Sequence, residues 1–168
     1  MKLILKTLTA ALIMIAFSVN ASAQANVTAE ASATIITPIS IAVNTDMNFG
    51  NVAVGAAAGT VVLANDGSRS VTGGVTLPAT TGTVSAAVFT VSGEDGFTYT
   101  IALPGTITLT SGGNTMDVGA FTSNPSGTGT LTGSSETLNV GATLSVNAGQ
   151  ASGTYTNTTD LIVSVNYN

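Results

Sequence analysis

The stretch Leu161-Ile162-Val163-Ser164-Val165-Asn166-Tyr167 decides the fold. Leu161, Val163, Val165 and Tyr167 fall on one face and Ile162, Ser164 and Asn166 on the other. Period two is the mark of a β-strand with one buried face. A second alternating run lies near the other end of the chain. There Val27, Ala29, Ala31, Ala33 and Ile35 interleave with Asn26, Thr28, Glu30, Ser32 and Thr34. Two such strands can pair within one sheet, or one of them can be lent to a neighbouring subunit. The sequence leaves both arrangements open.

Working outward, the rest of the chain repeats the pattern. Thr, Val, Ile, Gly, Ser and Asn dominate, which suits strands and turns. Strands are predicted near 26–36, 39–43, 60–64, 69–77, 83–91, 97–103, 106–110, 115–121, 128–132, 136–140, 142–147 and 154–167. Asn65-Asp66-Gly67-Ser68, Glu94-Asp95-Gly96 and Ser111-Gly112-Gly113-Asn114 read as tight hairpin turns. Pro38 interrupts the first alternating run, because proline cannot donate to a strand ladder. An all-β sandwich is the simplest architecture for this pattern.

Residues 1–23 read as a cleavable signal peptide: Lys2 and Lys6, an apolar run from Leu8 to Val19, then the small-x-small site Ala21-Ser22-Ala23. The mature chain divides into an N-terminal strand at 24–37, a candidate donor strand, and a sandwich domain at 38–168. No second apolar run reaches spanning length, so no membrane span is expected after cleavage. The protein is expected in the periplasm, at the cell surface or outside a bacterium. Beyond Lys6, Arg69 is the sole basic side chain against eight acids. Nucleic-acid binding needs several Lys or Arg on the phosphates and is excluded.

The chemistry available is narrow. With no histidine and no cysteine, Ser-His-Asp and Cys-His catalysis and thiolate or imidazole metal sites are out of reach. Carboxylates remain, but Glu30, Asp117 and Glu136 are scattered, and Glu94-Asp95 sit in a turn. A carboxylate hydrolase would need two of them across one cleft. Asn65, Asp66 and Ser68 form the richest oxygen cluster, and turn chemistry accounts for it. No catalytic residue, metal or cofactor is expected.

Three stretches carry a family resemblance: Met47-Asn48-Phe49-Gly50-Asn51-Val52, Val140-Gly141-Ala142-Thr143-Leu144, and Gly153-Thr154-Tyr155-Thr156 leading into Val163-Ser164-Val165-Asn166-Tyr167. Together they resemble a family of exported bacterial proteins catalogued as a domain of unknown function. The first and third are similar, more distantly, to spore coat protein U-like and chaperone–usher pilin domains. That resemblance implies an immunoglobulin-like (pilin-like) sandwich lacking one strand, filled by a periplasmic chaperone and then by another subunit. It implies a homo-polymer or sister subunits as partners. The inserted donor face would be Val27, Ala29, Ala31, Ala33 and Ile35, and the receiving edge Leu161, Val163, Val165 and Tyr167. The alternative is a monomeric surface module binding a glycan through Tyr99, Phe121 and Tyr155.

Overall fold

The computed structural model of the protein describes residues 23–168. The signal-peptide expectation lies, but for Ala23, outside the described residues. The chain divides into two units, Met1–Thr34 and Ile35–Asn168. In the first, residues 23–34 carry no strand and are exposed. The strand expected at 26–36 is therefore not formed: a strand exists only against a partner, and small alanines offer little surface to fix one.

The second unit holds ten strands and, among the described residues, no helix. They are β1 (Ser40–Thr45), β2 (Ala53–Leu63), β3 (Arg69–Thr76), β4 (Ala87–Ser92), β5 (Thr98–Ala102), β6 (Ile107–Ser111), β7 (Asn114–Asn124), β8 (Thr128–Thr130), β9 (Ser135–Val146) and β10 (Ser164–Tyr167). All pairing is antiparallel. One sheet has seven strands and the other has three in the order β10-β5-β8.

β9 organises the large sheet. Its first half pairs β4 and its second half pairs β2, while β7 runs along both. β4 and β2 therefore lie end to end on one side of β9, with β7 on the other. The two strands expected at 136–140 and 142–147 are this one strand. Gly141 does not break it; a side chain there would strike the Leu63 carbonyl, so glycine permits the close approach.

Two of the expected hairpins form. Asp66 Oδ1 accepts the Ser68 N–H at 2.8 Å and turns β2 into β3. Gly112 and Gly113, both at positive φ, turn β6 into β7. The Glu94-Asp95-Gly96 turn is different: β4 pairs β1 and β9, whereas β5 pairs β10 and β8. It carries the chain from one sheet to the other.

The core has two parts. Val61, Leu63, Val118 and Leu144 anchor one; Val91, Tyr99, Leu131 and Leu138 anchor the other. Met47, Phe121 and Leu161 pack against both. Phe121 lies in a bulge of β7, beside Ala120 at φ 47°, and such bulges re-aim a side chain. Tyr99 is fully buried, and its hydroxyl donates to Glu136 Oε2 at 2.8 Å, tying β5 in one sheet to β9 in the other.

Candidate functional site

β1 borders an open groove. Ile41 and Val43 share a face, opposite Val91 and Phe89, and a register shift after Val43 puts Thr45 opposite Val88 instead. Ile41 is half-buried, yet Val43 is 63% exposed. Among the described residues, little covers Val43 on that face. A groove of about 1190 Å³ opens there. One wall runs from Val43 through Met47 and Phe49 to Val54, and the other from Gln150 to Leu161. The floor is apolar, built from Phe89, Ile107, Leu109, Met116, Val118 and Leu144. A backbone hydrogen bond from Gly149 N–H to the Gly55 carbonyl (3.1 Å) joins the two walls.

Each wall is pinned by polar contacts. Gly50 turns the first wall at φ +67°. The Arg69 guanidinium donates to the carbonyls of Phe49 and Asn51. The Asn48 N–H donates to the Ser85 carbonyl at 2.8 Å. On the second wall, Asn157 Nδ2 donates to the Thr108 carbonyl and to Asp160 Oδ2. Thr159 and then Asn157 hold the Asp160 carboxyl below the usual carboxylate range. Thr156 bridges to Thr110 on β6. The Tyr155 hydroxyl accepts from Gln150 Nε2 and donates to the Ala151 carbonyl, both at 2.8 Å.

The expected site residues divide. Leu161 lines the groove. Val163, Val165 and Tyr167 are half-buried against the second core instead, with Ile162, Ser164 and Asn166 exposed, so the predicted alternation holds. The strand itself is shorter than the expected 154–167. Ser164–Tyr167 pairs with β5 at the edge of the small sheet, and ahead of it only the single Thr156 bridge to β6 forms. Val27 and Ile35 are 94% and 97% exposed, and Ala29, Ala31 and Ala33 are exposed as well. The sequence did not single out Val43 and gave Met47 and Phe49 no site role; the signal for those two was the family-like stretch Met47-Asn48-Phe49-Gly50.

The C-terminal tyrosine makes a second cluster. Tyr167 hydroxyl donates to the Thr37 carbonyl at 2.7 Å and accepts the Glu94 N–H at 2.6 Å. Glu94 Oε2 accepts the Thr37 N–H at 2.8 Å. That backbone donor first, then the Thr37 hydroxyl, holds the Glu94 carboxyl below the usual range. The Phe97 ring meets the Tyr167 ring edge-on at 5.5 Å. Gly93 makes room, since a side chain there would strike Tyr167 and Leu131.

Other carboxylates brace turns and strands, and Asp117 Oδ1 accepts from the Thr108 hydroxyl at 2.9 Å. Glu136 Oε2 accepts from Tyr99 and the Thr130 N–H, and Asp95 Oδ1 accepts from the Gly133 N–H. The side chain and then the backbone N–H of Ser68 lower Asp66. The proposed aromatic trio is not assembled: Tyr99 is buried, Phe121 packs between the cores, and Tyr155 lies on the groove wall. Among the described residues, no helix is long and apolar enough to cross a membrane.

A family profile described as Domain of unknown function (DUF4402) matches residues 39–167. The chain belongs to that family. The family's span opens just before β1 and closes at the end of β10, so it contains every strand and the whole groove. Two of the three family-like stretches are the groove's facing walls, Met47–Val52 and Gly153–Thr156; the third is the middle of β9. Nothing in the match ties the chain to spore coat protein U-like or pilin families. No curated protein and no solved structure matches the chain.

Proposed function

We propose that this protein is an exported, non-catalytic structural subunit of pilin-like or adhesin type, acting through β-strand pairing between subunits. In this reading the two sheets form an immunoglobulin-like sandwich short of one strand, and the groove receives the missing strand. The single observation that carries it is the groove beside Val43: an apolar floor, a free strand edge, and two walls held by their own hydrogen bonds. Such a site offers an extended peptide ladder partners along β1 and apolar positions for alternate side chains. Residues 24–36 have the matching pattern, with Val27, Ala29, Ala31, Ala33 and Ile35 as the inserted face. A periplasmic chaperone would cover the groove until assembly. Asp66, Glu94, Asp95, Asp117, Glu136 and Asp160 are taken up by turns and strand contacts, which fits a role without catalysis.

The test is an unheated SDS gel of surface material from native cells, probed for this protein. Inserted strands leave few free edges and unfold slowly, so they resist SDS until boiled. The expected result is a ladder that collapses to one band on boiling and is lost in Ala31→Asp, which would place a charge against the apolar floor. A single monomer band with and without heating refutes strand exchange.

A further inference from the structure

The fold treats the two ends of the chain differently. At one end, the Asn168 N–H donates to the Thr98 carbonyl at 3.2 Å and its Nδ2 to Thr98 Oγ1 at 3.0 Å, so the last residue is tied to β5. At the other, residues 23–34 are exposed and carry no strand. Among the described residues, the first backbone groups held by hydrogen bonds are those of Thr37, bonded to Glu94 and Tyr167. An untied end of this kind is where proteolysis begins. The signal-peptide reading puts a particular residue there. Cleavage after Ala21-Ser22-Ala23 makes Gln24 the first residue. Ala23 and Gln24 are both exposed.

We propose that Gln24 is a modification site, closed to pyroglutamate once residues 1–23 are removed. The inference rests on the export part of the reading above and not on strand exchange. An N-terminal glutamine holds its own electrophile within reach of its α-amine, and such proximity makes ring closure effectively unimolecular. In its neutral form, well populated near the α-amine pKa of about 8, the amine attacks the side-chain amide carbon. A bond forms between the α-nitrogen and Cδ, and the bond from Cδ to Nε2 breaks. The amine gives one proton to the departing nitrogen, which leaves as ammonia. The step needs no oxidant, reductant or cofactor. Gln24 Nε2 makes an exposed contact with Asn26 Oδ1 at 3.1 Å, so no buried interaction is given up when it leaves. The consequence reaches past one residue. Lys2 and Lys6 go with the leader and no lysine follows, so the Gln24 α-amine is the sole primary amine of the mature chain. Closing the ring leaves none and removes the terminal charge. The exposed arm then offers aminopeptidases no amine to grip, at the one end the fold leaves untied.

The test uses the wild-type protein purified from native cells. Its intact mass should be that of residues 24–168 less one ammonia. An amine-reactive ester should add no label, because an open chain would carry a single amine and the closed one carries none. Pyroglutamyl aminopeptidase should then remove the ring, expose the Ala25 amine and restore a single label per chain. A general aminopeptidase should leave the untreated protein whole and trim the unblocked one back towards Thr37, where the backbone is first held. The mass of residues 24–168 without the loss of ammonia, taking a label, overturns the inference and leaves export standing. A chain that begins at a residue beyond Gln24 does the same. A chain that keeps residues 1–23 overturns the export reading and this inference together. An unblocked arm that resists trimming overturns the protective role.

Discussion

Tyr99→Phe removes a single oxygen from the middle of the sandwich. That hydroxyl is fully buried and donates to the charged Glu136 Oε2 at 2.8 Å. A hydrogen bond to a charged group contributes about 1.5–3 kcal/mol. Phenylalanine keeps the ring, and Glu136 keeps the Thr130 N–H, so the cost lies near the lower end, about 1.5–2 kcal/mol. In urea the midpoint should fall by about 1 M with the slope unchanged. The same bond fixes a pH signature. Burial, then the hydrogen bond and charge of Glu136, push the Tyr99 hydroxyl far above its ordinary value. The folded pKa is the higher one, so the contribution is complete below the unfolded value of about 10 and is lost as pH rises through the folded value. Wild-type stability should therefore fall with pH above about 10 by up to about 1.4 kcal/mol per unit from this group, and Tyr99→Phe should lack that share. The gap between the two proteins narrows as pH rises. Equal midpoints at neutral pH, or a gap that stays constant from about pH 9 to pH 11, would refute the reasoning.

Gly50→Ala should cost about 2–4 kcal/mol in thermal or urea unfolding, because φ is +67° and the new carbon would strike the Thr81 carbonyl and Val84; a cost below about 1 kcal/mol contradicts the geometry of the groove wall. Arg69→Met should lose the two carbonyl contacts at Phe49 and Asn51, lower stability by about 2–4 kcal/mol and speed amide exchange in residues 49–51; unchanged exchange there shows that the wall does not depend on the guanidinium. Glu94 should titrate below the ordinary carboxylate value of about 4.3 in carbon-detected NMR. Its folded value is the depressed one, so its contribution is present above pH about 4.3 and is lost as pH falls through the lower folded value; an ordinary titration removes the Thr37 contact from solution.

The strands were legible where side chains alternate against one core, as in Ala87–Ser92 and Ser164–Tyr167. Turns were legible where glycine and aspartate meet a local need, as at Asp66-Gly67 and Gly112-Gly113. The Glu94-Asp95-Gly96 turn misled because the same turn chemistry serves a hairpin and a crossing between sheets; only the partners of β4 and β5 tell them apart. Ala53–Ala58 was missed because small residues give no contrast between faces. Residues 154–163 read as strand, yet only Thr156 finds a ladder partner, because side-chain and turn hydrogen bonds around Asn157 hold the segment as a groove wall. The groove escaped because it is a gap between segments about a hundred residues apart, and no local pattern encodes a gap. What the sequence did carry was both sides of it, as the two family-like stretches that became its walls.

Arg69 is the one lysine or arginine after Lys6. Proteases of the trypsin type need such a side chain in their own pocket before they can cut. Here the guanidinium is spent on the carbonyls of Phe49 and Asn51, and the bond after it lies at the head of β3, paired to Leu63. Cutting requires an extended, unpaired backbone, so β3 must first leave β2. Beyond residue 23 the chain presents these enzymes with a single target and keeps it folded away, a useful property for material that would sit outside a cell among proteases.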